Sequence, residues 1–190
     1  SEKTEFGSLP FNIKNKKIII YQGAINLGRG IELILKAMLY LHNHIFLIIG
    51  SGDVLSELKQ LTKELNIQEK VLFMGRLSPK ELRKLTPLAN LGISLEEDLG
   101  LNYRFALPNK IFDYIQAEIP ILISDLPEMK KIVLEYNVGE IVKNREPKNI
   151  ANQIKLLLEK DLSKELQRAK RELIWEKQEE ELLSIFNNLK

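Results

Sequence analysis

The sequence predicts a doubly wound α/β domain, a parallel sheet with helices on both faces, and three observations carry that prediction. Short runs rich in β-branched residues recur along the chain, and amphipathic stretches with helical spacing separate them. Most of the runs are apolar throughout rather than alternating, which suits strands covered on both sides. Strand and helix taking turns in this way imply parallel pairing through right-handed crossovers.

The strand candidates, in order, are Ile18-Ile19-Ile20-Tyr21, Ile45-Phe46-Leu47-Ile48-Ile49, Val71-Leu72-Phe73-Met74, Leu91-Gly92-Ile93-Ser94-Leu95, Ile121-Leu122-Ile123 and Glu140-Ile141-Val142. Between the first two, Ile31, Ile34, Leu35 and Met38 fall on one helical stripe. Leu55, Leu58, Leu61 and Leu65 form the next. Ser78-Pro79-Lys80-Glu81 reads as a helix start, with Ser78 as N-cap, Pro79 in the first helical position and Glu81 closing a capping box. Asp53 and Asp125 are candidate N-caps, and Pro108 suits the first turn of a further helix. Residues 1–15 read as a linker, 16–160 as the α/β domain and 161–190 as a long, charged helical tail. The tail's apolar contacts are Leu166, Leu173, Ile174, Leu182, Leu183, Ile185 and Phe186, with Trp175 mid-tail, placed either to pack on their own domain or to lean on a partner domain.

Composition removes several classes of function. With 44% hydrophobic and 28% charged residues the chain reads as a soluble globular domain able to bury a core without cross-links. It has no cysteine, so disulfides and thiolate metal sites are excluded, and two histidines, His42 and His44, argue against a histidine metal cluster. A net charge of +2 and a pI near 8.6 argue against a dedicated nucleic-acid binder, while leaving room for one basic pocket that takes a small anion. No apolar stretch approaches the roughly 18 residues of a membrane span. The first residues carry no signal-peptide pattern. The expected compartment is therefore the cytoplasm.

Ligands of open parallel sheets bind at the carboxyl ends of the strands, so the loops there hold the candidate chemistry. The first loop, Gly23 to Gly30, runs into a helix whose free amides attract anions, with Arg29 at the opening. Its spacing matches neither the dinucleotide fingerprint nor the P-loop, and a flexible turn with a solvated arginine is the plain alternative. Gly50-Ser51-Gly52 reads mainly as turn chemistry. Gly75-Arg76-Leu77 exposes backbone groups able to read the edge of a flat base, or is again a turn. The long segment Glu96 to Leu107 leads into Pro108-Asn109-Lys110-Ile111-Phe112-Asp113-Tyr114. Lys110 stands near a helix N-terminus, where a cation disfavours the helix, and Asp113 follows one turn later, able to accept from vicinal hydroxyls. The acidic run Glu96 to Asp98 has the residue types for a metal but reads better as a solvated loop.

Taken in order, these features resemble the C-terminal domain of glycosyltransferase family 4, of the GT-B architecture, whose donor half is Rossmann-like. The resemblance runs from about Lys16 to the end. It rests on the Gly23 to Gly30 loop, Ile48-Ile49-Gly50-Ser51-Gly52, Phe73-Met74-Gly75, Leu107 to Ile115, Pro120 to Met129, Val138-Gly139 and Trp175-Glu176. It implies that Arg29, Lys110, Gly28 and Gly30 face the donor diphosphate, that Asp113 holds the ribose, and that Gly75, Arg76 and Leu77 touch the base. Asn102, Tyr103, Arg104 and Asn109 would lie on the sugar side. It further implies a UDP- or GDP-linked sugar as donor, a glycan or lipid-linked acceptor, and no metal or other cofactor. The general base would belong to an N-terminal domain of the full-length chain. The sequence departs from the family pattern at Phe105, where a first glutamate is usual, at Ala24, where a basic residue is usual, and at Glu118-Ile119, where a glycine commonly ends the helix. A left-handed Glu118 would cost on the order of 1–2 kcal/mol. A GT-B-type UDP-sugar epimerase and a non-catalytic nucleotide-binding or partner-docking domain are the alternative readings.

Overall fold

A computed structural model of the chain describes residues 15–173. Its centre is a six-stranded, wholly parallel sheet in the order β3-β2-β1-β4-β5-β6. The strands are β1 (Lys17–Gln22), β2 (His44–Ile49), β3 (Val71–Gly75), β4 (Leu91–Ser94), β5 (Ile121–Ser124) and β6 (Gly139–Val142). Each predicted strand forms, with its ends shifted by one residue or so. The all-apolar runs are apolar for the expected reason. Ile19 and Tyr21 enter one core while Ile20 enters the other, and Phe46 and Ile48 likewise oppose Ile45, Leu47 and Ile49.

The first core is closed by α1 (Ile31–Ala37), α2 (Leu55–Glu64) and α7 (Pro147–Leu158). The second is closed by α3 (Pro79–Leu85), α5 (Asn109–Gln116), α6 (Pro127–Tyr136) and α8 (Ser163–Glu172). A one-turn helix, α4 (Leu101–Arg104), lies in the long loop after β4. The tail packs its Leu166 and Ala169 into the second core, and Gln116 Nε2 donates to the carbonyl oxygens of Lys170 and Leu173. Trp175 and the rest of the predicted tail lie outside the described residues, as do residues 1–14. Among the described residues no helix is long and apolar enough to cross a membrane.

The capping box at Ser78 forms as expected, with the Ser78 amide 2.7 Å from Glu81 Oε2 and the Glu81 amide 3.3 Å from Ser78 Oγ. The other two caps do not. Val54 is the N-cap of α2, so Asp53 lies one residue too early, in a turn whose chain is drawn to the first loop by the Val54 amide donating to Ile25 O. Leu126 caps α6, with Pro127 starting the helix, and the Asp125 carboxylate goes instead to Lys130 at 2.8 Å. Pro108 itself takes the N-cap position of α5, in extended conformation with ψ 134°. Glu118 is left-handed, φ 56°, as its place at the end of α5 requires. Its amide bonds Ile115 O and the next amide bonds Tyr114 O, closing the helix in the pattern glycine usually serves.

Candidate functional site

The strand order reverses between β1 and β4, so the crossovers leave the sheet in opposite directions there and a crevice opens at the carboxyl edge. The first loop is stitched to the second by amides of Gly23 and Ile25 donating to the carbonyls of Ile49 and Ser51, both at 3.0 Å. Gly50 has φ 139°, and a Cβ there would stand 1.8 Å from Gly23 O, so the stitching requires glycine. Gly30, φ 70°, presses the start of α1 against β4: a Cβ would lie 2.2 Å from Leu95 O. That contact delivers Arg29 to within 3.9 Å of Glu96 Oε1, its guanidinium lying 5.5 Å from the centre of the Tyr103 ring.

The opposite wall is α5. Tyr114 is fully buried, its hydroxyl accepting from the Gln22 amide at 3.1 Å and lying 3.3 Å from the carbonyl oxygens of Ile20 and Ile93. The helix is thereby tied to both strands that flank the crevice. Gly92 makes room for it, since a Cβ there would sit 2.3 Å from the Tyr114 ring. With the helix so fixed, Lys110 Nζ stands 2.6 Å from Glu96 Oε1 and 4.3 Å from the centre of the Tyr21 ring. One turn on, Asp113 Oδ2 accepts from Gln22 Nε2 at 2.7 Å, and Gln22 Oε1 accepts from Thr86 Oγ1 at 2.8 Å.

Burial pulls the Lys110 ammonium below the ordinary lysine range, against the opposing pull of Glu96. Burial also raises the Asp113 carboxyl above the usual aspartate value, offset in part by the Gln22 hydrogen bond. Tyr21 is pushed up chiefly by burial and next by the charge of Glu96.

Arg29, Lys110, Asn109 and Asp113 line one cavity of about 270 Å³, floored by Tyr21, Gln22 and Gly23. A neighbouring recess of about 320 Å³, between the loops after β2 and β3, holds Ser51, Arg76 and Leu77 and shares Gln22, Gly23, Ala24 and Leu82 with the first. A groove of about 660 Å³ between α3 and α5 also reaches Gln22 and Asp113. The arrangement offers two cations, a carboxylate one helical turn away and a recess alongside.

Residues 4–173 match the family described as Glycosyl transferases group 1. The chain belongs to that family. An uncharacterized glycosyltransferase of Methanocaldococcus jannaschii is 28% identical over 142 residues, 72% of this chain and 34% of the relative. The group 1 chain thus spans about a third of that relative's length. Among solved structures, HepE of Anabaena in complex with UDP superposes with a TM-score of 0.79 at 12% identity, covering 93% of this chain and 50% of that one. Sucrose-phosphate synthase of Thermosynechococcus elongatus gives 0.79 at 19% identity, covering 92% and 46%. The C-terminal domain of the group 1 protein LpcC of Francisella tularensis gives 0.64 at 15%, covering 82% and 83%. At such identities these likenesses speak for the fold.

Within the group 1 domain the sequence-predicted site residues divide. Arg29, Lys110, Asn109 and Asp113 meet at one cavity, and Arg76 and Leu77 line the recess beside it. Gly28 and Gly30 line neither. They shape the loop, with Gly28 O accepting from the Glu97 amide at 2.8 Å. Gly75, φ 68°, gives its carbonyl to the Gly50 amide at 2.7 Å. Asn102 and Arg104 are exposed on α4 outside the cavity, Arg104 held by Asp98 at 2.7 Å, while Tyr103 reaches back over Arg29. Phe105 is exposed at 56%.

The reading of Glu96 to Asp98 as a solvated loop fails at its first residue. Glu96 is 1% exposed and lies beneath Lys110, because it shares the inward parity of Ser94, whose hydroxyl donates to it at 2.7 Å. Gln22 likewise joins the site without being among the sequence-predicted residues. The available signal in both cases was a polar side chain set at the end of an otherwise apolar strand.

Proposed function

We propose that this chain is the C-terminal, donor-binding domain of a two-domain GT-B glycosyltransferase of family 4. Its cavity receives the diphosphate of a UDP- or GDP-linked sugar. The observation that carries the reading is the convergence of Arg29, Lys110 and Asp113 on one cavity at the switch point of the sheet. Arg29 and Lys110 oppose the charge of the diphosphate, Asp113 accepts from the ribose hydroxyls, and the base enters the recess beside Arg76 and Leu77. Tyr103 and Asn109 border the sugar. Asn102 and Arg104 belong on that side only if the loop carrying α4 folds inward over the donor. HepE, a protein of the same fold, was crystallised with UDP, and LpcC supplies a C-terminal domain of comparable extent, which supports the reading.

In the reaction, the bond between the anomeric carbon and the phosphate oxygen breaks. A bond to an acceptor hydroxyl forms, and the hydroxyl proton passes to a base. Negative charge grows on the departing diphosphate, where side-chain cations aimed beforehand lower the barrier. Those cations take the part that a metal plays elsewhere. Base and acceptor site belong to the N-terminal domain, so the present domain binds without completing transfer. The full-length enzyme works on a glycan or lipid-linked acceptor in the cytoplasm, at the inner face of the membrane.

Two or three charged hydrogen bonds at roughly 1.5–3 kcal/mol each, set against the cost of association, suggest a dissociation constant of about 0.1–10 mM. Calorimetry of the folded chain with UDP, GDP and ADP tests this. Binding of at least one in that range is expected, and no heat with any of the three overturns the assignment.

A further inference from the structure

Lys110 has little reason to be charged where it stands. It is 8% exposed, pressed against the Tyr21 ring and close to Gly23, so it keeps little of its hydration. An ammonium so placed gives up its proton at lower pH than a solvated one unless a negative charge lies against it. Arg29, the other charged group facing it across the cavity, works the wrong way. Asp113, on the same helix, spends its carboxylate on Gln22. Tyr21, the titratable group beneath, is held in its neutral phenol form by burial.

One group supplies the missing charge. Glu96 Oε1 is 2.6 Å from Lys110 Nζ and also the nearer carboxylate to Arg29, at 3.9 Å. Its position is fixed from behind by two serines, one of them braced by an arginine. Ser94 Oγ donates to its other oxygen, Oε2, at 2.7 Å, and Ser124 Oγ donates to its backbone carbonyl at 2.6 Å. Arg145, from the loop after β6, donates to Ser124 Oγ at 2.9 Å and to Leu95 O at 3.0 Å. Two strands and the loop after β6 therefore contribute to holding one carboxylate under one ammonium.

Resting on the donor-site reading above, we infer that Glu96 is a positioning residue. It is the internal counter-ion that keeps Lys110 protonated and in place for the donor diphosphate, without touching the donor itself. A neutral amine at this position cannot oppose phosphate charge, so Glu96 governs anion binding through Lys110 and sets its behaviour at alkaline pH.

Two measurements on the whole chain test the inference. In the first, lysines carry ¹³C at Cε, and the Lys110 resonance, assigned by its loss in Lys110→Arg, is followed from neutral to alkaline pH without ligand. In Glu96→Gln it titrates at lower pH than in the wild type, and in Glu96→Asp it moves back toward the wild-type course. Identical titration in wild type and Glu96→Gln overturns the inference. The second is calorimetry with inorganic diphosphate at pH 7 and pH 9. Glu96→Gln loses about tenfold more affinity at pH 9 than at pH 7 relative to the wild type. In a Lys110→Met background the same substitution changes affinity less than about twofold at either pH. Equal losses in both backgrounds would mark Glu96 as merely structural. Should Glu96→Gln alone misfold, Lys110→Met/Glu96→Gln against Lys110→Met, with Glu96→Asp against the wild type, still decides. A wild type that binds neither UDP nor diphosphate defeats the donor-site reading, while the ligand-free titration judges the counter-ion claim separately.

Discussion

At the cavity the two cations share Glu96 while Asp113 is bonded to Gln22, and substitutions should separate accordingly. Asp113 lines the cavity, where the proposed donor reading puts the ribose, and is oriented by Gln22, which Thr86 in turn holds. Asp113→Ala is therefore expected to weaken UDP at least about tenfold, the loss of one charged hydrogen-bond acceptor, while inorganic diphosphate binds within about twofold of the wild type. Equal losses for both ligands would remove the ribose role. A second residue-scale prediction concerns His44 at the start of β2. Among the described residues its Nδ1 is buried without a partner, and burial first, then Lys155, Lys17, Lys70 and His42, lower its pKa below the ordinary 6.5. The unfolded chain therefore takes up a proton more readily than the folded one. The stability His44 contributes is complete above its unfolded pKa near 6.5 and is lost as pH falls through the lower folded value. The urea midpoint should drop between pH 7.5 and pH 5, and His44→Gln should show a smaller drop. Equal drops in the two proteins would show that His44 is not responsible.

Elements were far more legible than contacts. The six strands could be read because each is a short apolar run, and burial on both faces selects that pattern directly. The cap at Ser78 was legible because serine, proline and glutamate at fixed spacing specify it locally. The caps at Asp53 and Asp125 misled because a tertiary partner, the first loop in one case and Lys130 in the other, outweighed a local preference. The end of α5 carries the element-scale prediction. Glu118 is left-handed at φ 56° and its side chain meets Lys170 at 2.6 Å in solvent. An exposed pair contributes little, whereas a left-handed non-glycine residue costs about 1–2 kcal/mol. Glu118→Gly should raise stability by about 0.5–1 kcal/mol, read as a higher denaturant midpoint at unchanged slope. A lower midpoint would mean that the Lys170 contact matters more than the backbone.

For the whole molecule, the sheet order decides where chemistry can occur, and that order follows from the alternation of strand and helix. Arg29 and Lys110 were legible as a cation pair because each stands beside a helix start at the carboxyl edge. Glu96 was not, because the sequence 96–98 shows three acids with nothing to say that the first turns inward and the third outward to Arg104. Only the packing of β4 against α5, through Gly92 and Tyr114, brings that carboxylate under Lys110. The group 1 domain therefore presents a pocket whose cations are set by the fold rather than by a local motif. The most direct test is a ¹⁵N-resolved NMR titration of the ligand-free chain with UDP. The account predicts amide shifts concentrated at residues 22–24, 29, 76–77 and 109–113. Shifts absent throughout, or centred away from these residues, would contradict it.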